Sequence, residues 1–217
     1  MQARKQDQRR ETGQRTRDRL LAVASEFLAR QDQATVTLRQ ITDAAEANVA
    51  AVSYHFGSLK ALCDSALELA LESYLDAQLE AMRNLSSRST LDEFAEAFAR
   101  PMMRALAAGG QDLTIMRTVA RMGSDPPQRW DRLAGKFEQI RRDTLRVLTV
   151  ILPDVEESEL IFRARCAAGL LNWLAISPLG AEMTGKSEEQ IRQLLVPVLA
   201  GAFRAQSSAA AHEPHSA

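Results

Sequence analysis

Thr37-Leu38-Arg39-Gln40-Ile41-Thr42-Asp43-Ala44-Ala45-Glu46-Ala47-Asn48-Val49-Ala50-Ala51-Val52-Ser53-Tyr54-His55-Phe56-Gly57-Ser58 is the stretch on which the fold turns. It opens with a capping box, in which the Thr37 hydroxyl accepts from an amide three residues on and Gln40 reaches back. The helix so started runs through Ala45, with Leu38, Ile41 and Ala45 on its inner face. Asn48 is a second N-cap and opens a short helix from Val49 to Phe56, with Val49, Val52 and Phe56 inward. Ser58 caps a third start that runs long. Upstream, Leu20, Leu21, Ala24, Phe27 and Leu28 share one helical face until Gln31-Asp32-Gln33 ends it. A helix, a tight turn of about three residues and a second short helix, crossed by a first, is the arrangement of a helix-turn-helix unit.

Beyond Ser58 every strong segment keeps the helical period. Leu71, Leu75, Leu79, Met82 and Leu85 extend the fourth helix. Thr90-Leu91-Asp92-Glu93 is a further capping box, opening a helix that carries Phe94 and Phe98, kinks at Pro101 and ends at Gly109-Gly110. Leu113 to Met122 is short and is stopped by Gly123 through Pro127. Trp130, Leu133, Phe137, Ile140, Thr144, Val147 and Ile151 keep a three-four spacing, which predicts one long amphipathic helix closed by Pro153.

The segment from Leu160 to Ile176 differs in kind, because Cys166 to Ile176 is apolar nearly all round and must be covered on more than one side. Ser187 caps a last helix carrying Ile191, Leu194, Leu195, Val198, Leu199, Ala202 and Phe203. These last two long helices from each of two subunits predict a four-helix interface around a twofold axis. The alternative is that both are interior to a monomer.

The formal net charge of −1 means that affinity for a polyanion must come from a local patch. One lies at the start, where Arg4, Lys5, Arg9, Arg10, Arg15, Arg17 and Arg19 face only Asp7, Glu11 and Asp18. Cys63 and Cys166 are far apart, without a CxxC pair or clustered histidines, and read as two buried thiols in a reducing cytosol. No metal site is expected. No apolar leader opens the chain, and the run from Cys166 to Ile176 is too short to cross a bilayer, so a cytoplasmic protein without membrane contact is expected.

The run Leu38 to Ala45 followed by Asn48 to Ser58 resembles the DNA-binding domain of the TetR/AcrR family of bacterial repressors, especially the branch with Asn-x-Ala-Ala-Val-x-Tyr-His-Phe-Gly-Ser. The resemblance spans about residues 15 to 65. It implies that Val49 to Phe56 is the recognition helix, with Asn48, Val49, Ala50, Ala51 and Ser53 at operator DNA and Arg39 and Gln40 approaching the same groove. It also implies that Tyr54 and His55 contact phosphates, and that the amide end at Ser58, near Lys60, clamps another. The chain departs from the family pattern at Glu46, where a glycine suits the turn, at Ala47, where a bulky apolar residue is usual, and at Leu59, where lysine often stands. The recognition helix offers methyl groups and hydroxyls, which cannot separate guanine from adenine through hydrogen bonds, so Arg39 is expected to make the main polar base contact.

The fold expected is all-α, with a mobile basic arm over 1–13, a three-helix helix-turn-helix domain over 14–62, a helical bundle for ligand binding and dimerisation over 63–205, and a disordered tail over 206–217. The partners expected are double-stranded operator DNA, a second copy of the chain and a small lipophilic effector. Phe94, Phe98, Met103, Met116, Trp130, Phe137, Asn172 and Trp173 are the candidate cavity residues, although a Met and aromatic stripe is also ordinary core. Asn172 suits a ligand contact, a dimer contact or a satisfied buried amide. No catalytic residues and no cofactor are expected: there is no Gly-rich phosphate loop, no Glu-x-x-His pair and no nucleophile beside a base. A helical adaptor whose helix-turn-helix binds protein is the other alternative, and salt dependence separates it from a DNA binder.

Overall fold

Side-chain caps set where the helices begin. The Gln40 amide donates to the Thr37 hydroxyl and the Thr37 amide to the Gln40 carboxamide, at 3.3 and 2.8 Å. The Ala51 amide donates to Asn48 at 2.8 Å, and the Ala61 amide to Ser58 at 3.1 Å. Thr90 with Glu93 and Ser187 with Gln190 form two more capping boxes. Each satisfies amides that the first helical turn leaves without partners.

The computed structural model describes residues 2–122 and 128–205. Its helices are α1 (Gln2–Leu28), α2 (Leu38–Ala44), α3 (Val49–Phe56), α4 (Leu59–Met82), α5 (Leu91–Ala108), α6 (Gly110–Met122), α7 (Ala134–Ile151), α8 (Glu157–Ile176), α9 (Pro178–Met183) and α10 (Glu188–Arg204). Turns of 3-10 helix lie at Gln33–Thr35 and Gln128–Leu133, and the described residues contain no strand. The protein is all-α.

Two cores are built. Leu20, Ala24 and Leu28 of α1 close on Ile41 of α2, Val52 of α3 and Leu62 and Ala66 of α4, and this cluster continues to Val119 of α6 and to Leu133. The second joins α5, α6, α7, α8 and α10 around Phe94, Phe98 and Phe203. Phe203 meets the other two rings edge-on at 5.2 and 6.1 Å, a preferred aromatic geometry. Pro101 is accommodated inside α5. Arg163 is buried with its guanidinium donating to the Phe203 carbonyl and to Glu159, which ties the end of α10 to α8.

Several sequence expectations are corrected. Residues 2–13, read as an arm, are the first turns of α1: Gln, Ala, Lys and Arg are good helix formers, and a helix needs no apolar period to form. Val49, read as inward, is 51% exposed, and Val52, one turn further along the same side of α3, is the residue that enters the core. Phe56 is half-buried rather than core. Trp130 to Ile151 is not one helix; a 3-10 segment precedes α7. A 3-10 turn repeats every three residues, so Trp130 and Leu133 fit either form, and α7 starts beside Gly135 with no side-chain cap. Cys166, read as buried, is exposed, whereas Cys63 is buried. The tail read over 206–217 lies outside the described residues.

No helix among the described residues is long and apolar enough to cross a membrane, and none of their acidic, His and Cys side chains cluster as metal ligands would.

Candidate nucleic-acid interface and ligand cavity

The turn between α2 and α3 is held at Glu46, which has a positive φ of 47°. That left-handed conformation costs a side-chain-bearing residue energy that glycine avoids. Two bonds hold it there. The Ala47 amide donates to the Thr42 carbonyl at 2.9 Å, and Arg19 of α1 donates to the Glu46 carbonyl at 3.4 Å. At the other end of α3, Gly57 takes a φ of 80° and lets the chain turn into Ser58 and α4.

With α3 fixed at both ends, Val52 enters the core and the opposite ridge faces out. Tyr54 is 84% exposed, and Asn48, Val49, Ala50 and Ser53 are exposed beside it. Ala51 and His55 are half-buried toward α1. Arg39, on the first turn of α2, has a side chain 91% exposed and is only loosely paired with Asp43, at 3.5 Å. Gln40 is exposed too, but its carbonyl oxygen is engaged by Thr37, so only its amide nitrogen is left to donate outward. Lys60 turns away along α4, making a 2.6 Å ion pair with Asp64. Arg39, Val49, Ala50, Ser53 and Tyr54 are thus all exposed, as is Ser58 at the start of α4, whereas Lys60 is engaged along α4 by Asp64.

A cavity of about 680 Å³ lies in the bundle. Leu71, Tyr74, Leu75 and Gln78 of α4 line one side, with Phe98 of α5 and Val119 of α6. Phe137, Ile140, Thr144 and Leu145 of α7 and Ile161, Ala164, Ala168 and Asn172 of α8 line the other, and Glu138, Arg141 and Arg165 also border it. Glu138 and Arg141 hold each other through paired 2.8 Å bonds, which lower the carboxyl and raise the guanidinium from their ordinary values. Burial pushes the Tyr74 phenol up to about 12, so it stays protonated.

Of the candidate cavity residues, Phe98, Phe137 and Asn172 come together on this wall. Phe94, Met103 and Met116 are packed into the second core. Trp173 points out of α8, 52% exposed, and the Trp130 side chain lies outside the described residues. Sequence reasoning missed Tyr74, Gln78 and Thr144. For Gln78 a signal existed: Leu71, Leu75, Gln78 and Met82 follow a four-three-four register, and one position in that buried row is polar.

The cavity touches the upper core directly. Leu71, Leu75 and Val119 belong to both. From α6, Thr118 donates to the Ser25 carbonyl at 3.3 Å and Arg121 to the Ala29 carbonyl at 3.0 Å, so α6 is bonded to the end of α1. Arg117, one turn away, donates to the Ala175 carbonyl of α8 at 3.2 Å. A charged ladder also ties the cavity's α7 wall to α4: Arg132 pairs with Glu68 and Glu72, and Lys136 with Glu72 and Asp76.

On the outside of α8, Phe162, Cys166, Trp173 and Ile176 form an exposed row, and Leu194 and Val198 are exposed on α10. The inward residues of α10 are Ile191, Leu195, Leu199 and Phe203. The apolar girth of both helices is therefore divided between the chain's own core and a bare face.

Comparison with known proteins places this architecture. Residues 96–202 match the family model described as tetracyclin repressor-like, C-terminal domain. No characterised protein matches the sequence. Among solved structures, the chain is similar to a protein of Rhodococcus sp. RHA1 described as a candidate transcriptional regulator, at 18% identity and a TM-score of 0.48, covering 88% of this chain and 97% of that one. It is also similar to the TetR family repressor AlkX of Dietzia sp. strain DQ12-45-1b, implicated in biodegradation of n-alkanes, at 13% identity and a TM-score of 0.42, covering 86% of this chain and 94% of that one. Residues 96–202 are thus similar to a tetracyclin repressor-like C-terminal domain, and in this chain they follow a capped helix-turn-helix.

Proposed function

We propose that the protein is a homodimeric repressor, acting in the cytoplasm, that binds a palindromic operator and is released from it by a small lipophilic effector. The observation that carries this reading is the outward ridge of α3, clamped at Asn48 and Gly57, together with the unburied guanidinium of Arg39 on the first turn of α2. Residues 14–62 supply the DNA contacts and 63–205 the effector and partner contacts. Methyl groups of Val49, Ala50 and Ala51 pack on thymine methyls, and Arg39 reads a guanine. Tyr54, His55 and the Ser58 end of α4 hold phosphates, positioning the helix without reading sequence.

The bare apolar faces of α8 and α10 support the dimer, since a row such as Phe162, Trp173, Ile176, Leu194 and Val198 is poorly matched to water. The twofold sets two recognition helices about 34–36 Å apart, one turn of DNA. An effector in the cavity acts on α4 and α6, both of which also belong to the core under α1. A ligand that fits better when those helices have shifted lowers the population of the operator-competent spacing by its ratio of affinities for the two states.

The test is selection of bound genomic fragments by the purified protein, followed by mobility shift across a salt series. A palindrome bound by two chains, with affinity falling steeply as salt rises, is the expected result. No enriched site at modest salt would overturn it.

A further inference from the structure

We infer that the cavity takes a largely apolar ligand that enters with a neutral oxygen foremost, a hydroxyl or a carbonyl, and that Gln78 is the residue that receives it. This rests on the effector reading above and names the ligand's chemistry.

Gln78 is 2% exposed, and its amide nitrogen is buried with no hydrogen-bond partner. Buried amides are nearly always partnered, and one left alone costs free energy that a core position would not retain without compensation. Leucine, methionine or alanine would continue the row of Leu71, Leu75 and Met82 without that cost. The residue is not merely interior, because it borders the cavity with Tyr74, Thr144 and Asn172.

Charge is divided along the cavity. Gln78 and Thr144, the two polar side chains most deeply buried in its wall, are neutral, and a phenol held up near 12 stands with them. The charged groups, Glu138, Arg141 and Arg165, belong to residues that remain half-buried or exposed. An ionised carboxylate or ammonium carried to Gln78 would lose its hydration with no opposite charge to replace it. A neutral oxygen accepting from the Gln78 amide has no such penalty. The remaining lining is aliphatic and aromatic, so the body of the ligand is apolar, and the cavity volume suits a molecule of ordinary effector size.

The experiment is a two-by-two titration of the full-length protein, wild type and Gln78→Leu, with 1-octanol and octane, read by displacement of anilinonaphthalene sulfonate. The substitution is expected to weaken octanol about tenfold while leaving octane unchanged or tighter. Gln78→Met repeats the comparison with a side chain of nearly the same length, and melting curves establish that each variant is folded. Equal changes for both probes, or no change for either, would overturn the assignment of Gln78. Failure of every probe to bind wild type would overturn the effector reading as well. Operator binding without probe is measured on the same samples, so a defect in DNA binding is seen separately.

Discussion

The Arg17 guanidinium lies 5.3 Å over the centre of the Phe56 ring. This joins the basic start of α1 to the last residue of α3, and makes a half-buried aromatic the support for a cation. Arg17→Met keeps the stem and removes the charge. Contacts of this kind at partly exposed sites contribute about 0.5–1 kcal/mol, so the melting temperature should fall by about 2 °C. Operator affinity should weaken with base preference unchanged; a shifted preference in a binding-site selection would place Arg17 in the groove instead.

Glu46 combines backbone strain with an exposed acid at the start of the turn into α3. Glu46→Gly should relieve the left-handed penalty of about 1–2 kcal/mol, offset in part by glycine's extra freedom when unfolded, for a net gain of about 0.5–1 kcal/mol. Operator binding should tighten, most visibly at low salt. A lower melting temperature would show that the Arg19 and Thr42 bonds depend on the glutamate side chain.

Arg39 and Lys60 should separate cleanly. Arg39→Ala is expected to lose about 1–3 kcal/mol of operator binding and relax one base pair per half-site. Lys60, already held by Asp64, should matter less, and Lys60→Ala should change affinity by under about twofold. Mobility shift on the operator and on single-base variants of it distinguishes the two. Uniform weakening by Arg39→Ala on all sequences would reduce it to a phosphate contact.

The two thiols report on different environments, Cys63 on a core and Cys166 on an open face. Burial, aided by the charge of Asp64, pushes Cys63 up to about 11, so it should stay protonated and unlabelled at pH 8 until the protein unfolds. Cys166 stands on the open row of α8. Its alkylation should slow as protein concentration rises into the range where dimers form. Trp173→Glu or Val198→Glu should yield monomers in sedimentation while leaving helical content intact; a dimer surviving both would move the interface off α8 and α10.

Acid should loosen the start of α10. Arg192 and then Gln193 hold the Glu189 carboxyl down at about 2. A carboxylate lowered in the folded state stabilises fully above its ordinary value of 4.5, and that contribution disappears as pH falls toward 2. Glu189→Gln should therefore lower the melting temperature slightly at pH 7, flatten the acid limb of the profile between those limits and converge on wild type near pH 2. The carboxylate is exposed, so the effect is small.

What could be read from the chain without coordinates follows the range of the interactions. Capping at Thr37, Asn48, Ser58, Thr90 and Ser187 involves residues three apart, and each formed where its spacing indicates. The cavity wall was not legible in the same way. Phe94 and Phe98 are one turn apart and chemically identical and both meet Phe203, more than a hundred residues away, yet only Phe98 reaches the cavity. The outward turn of Trp173 and the split of α10 into buried and bare halves likewise depend on which neighbours a helix has. Periodicity identifies a face without saying what covers it.

Val119 and Leu133 close the core beneath α1, although both come from far along the chain. The same cluster draws on Cys63, Ala66, Leu67, Ala70, Leu71 and Leu75, so most of α4 is structural floor for α1, α2 and α3. A hybrid regulator made by joining residues 1–62 to a foreign sensor would start with a truncated floor and apolar side chains facing water. Useful biosensor chimeras from this scaffold should carry α4 intact and supply substitutes for Val119 and Leu133.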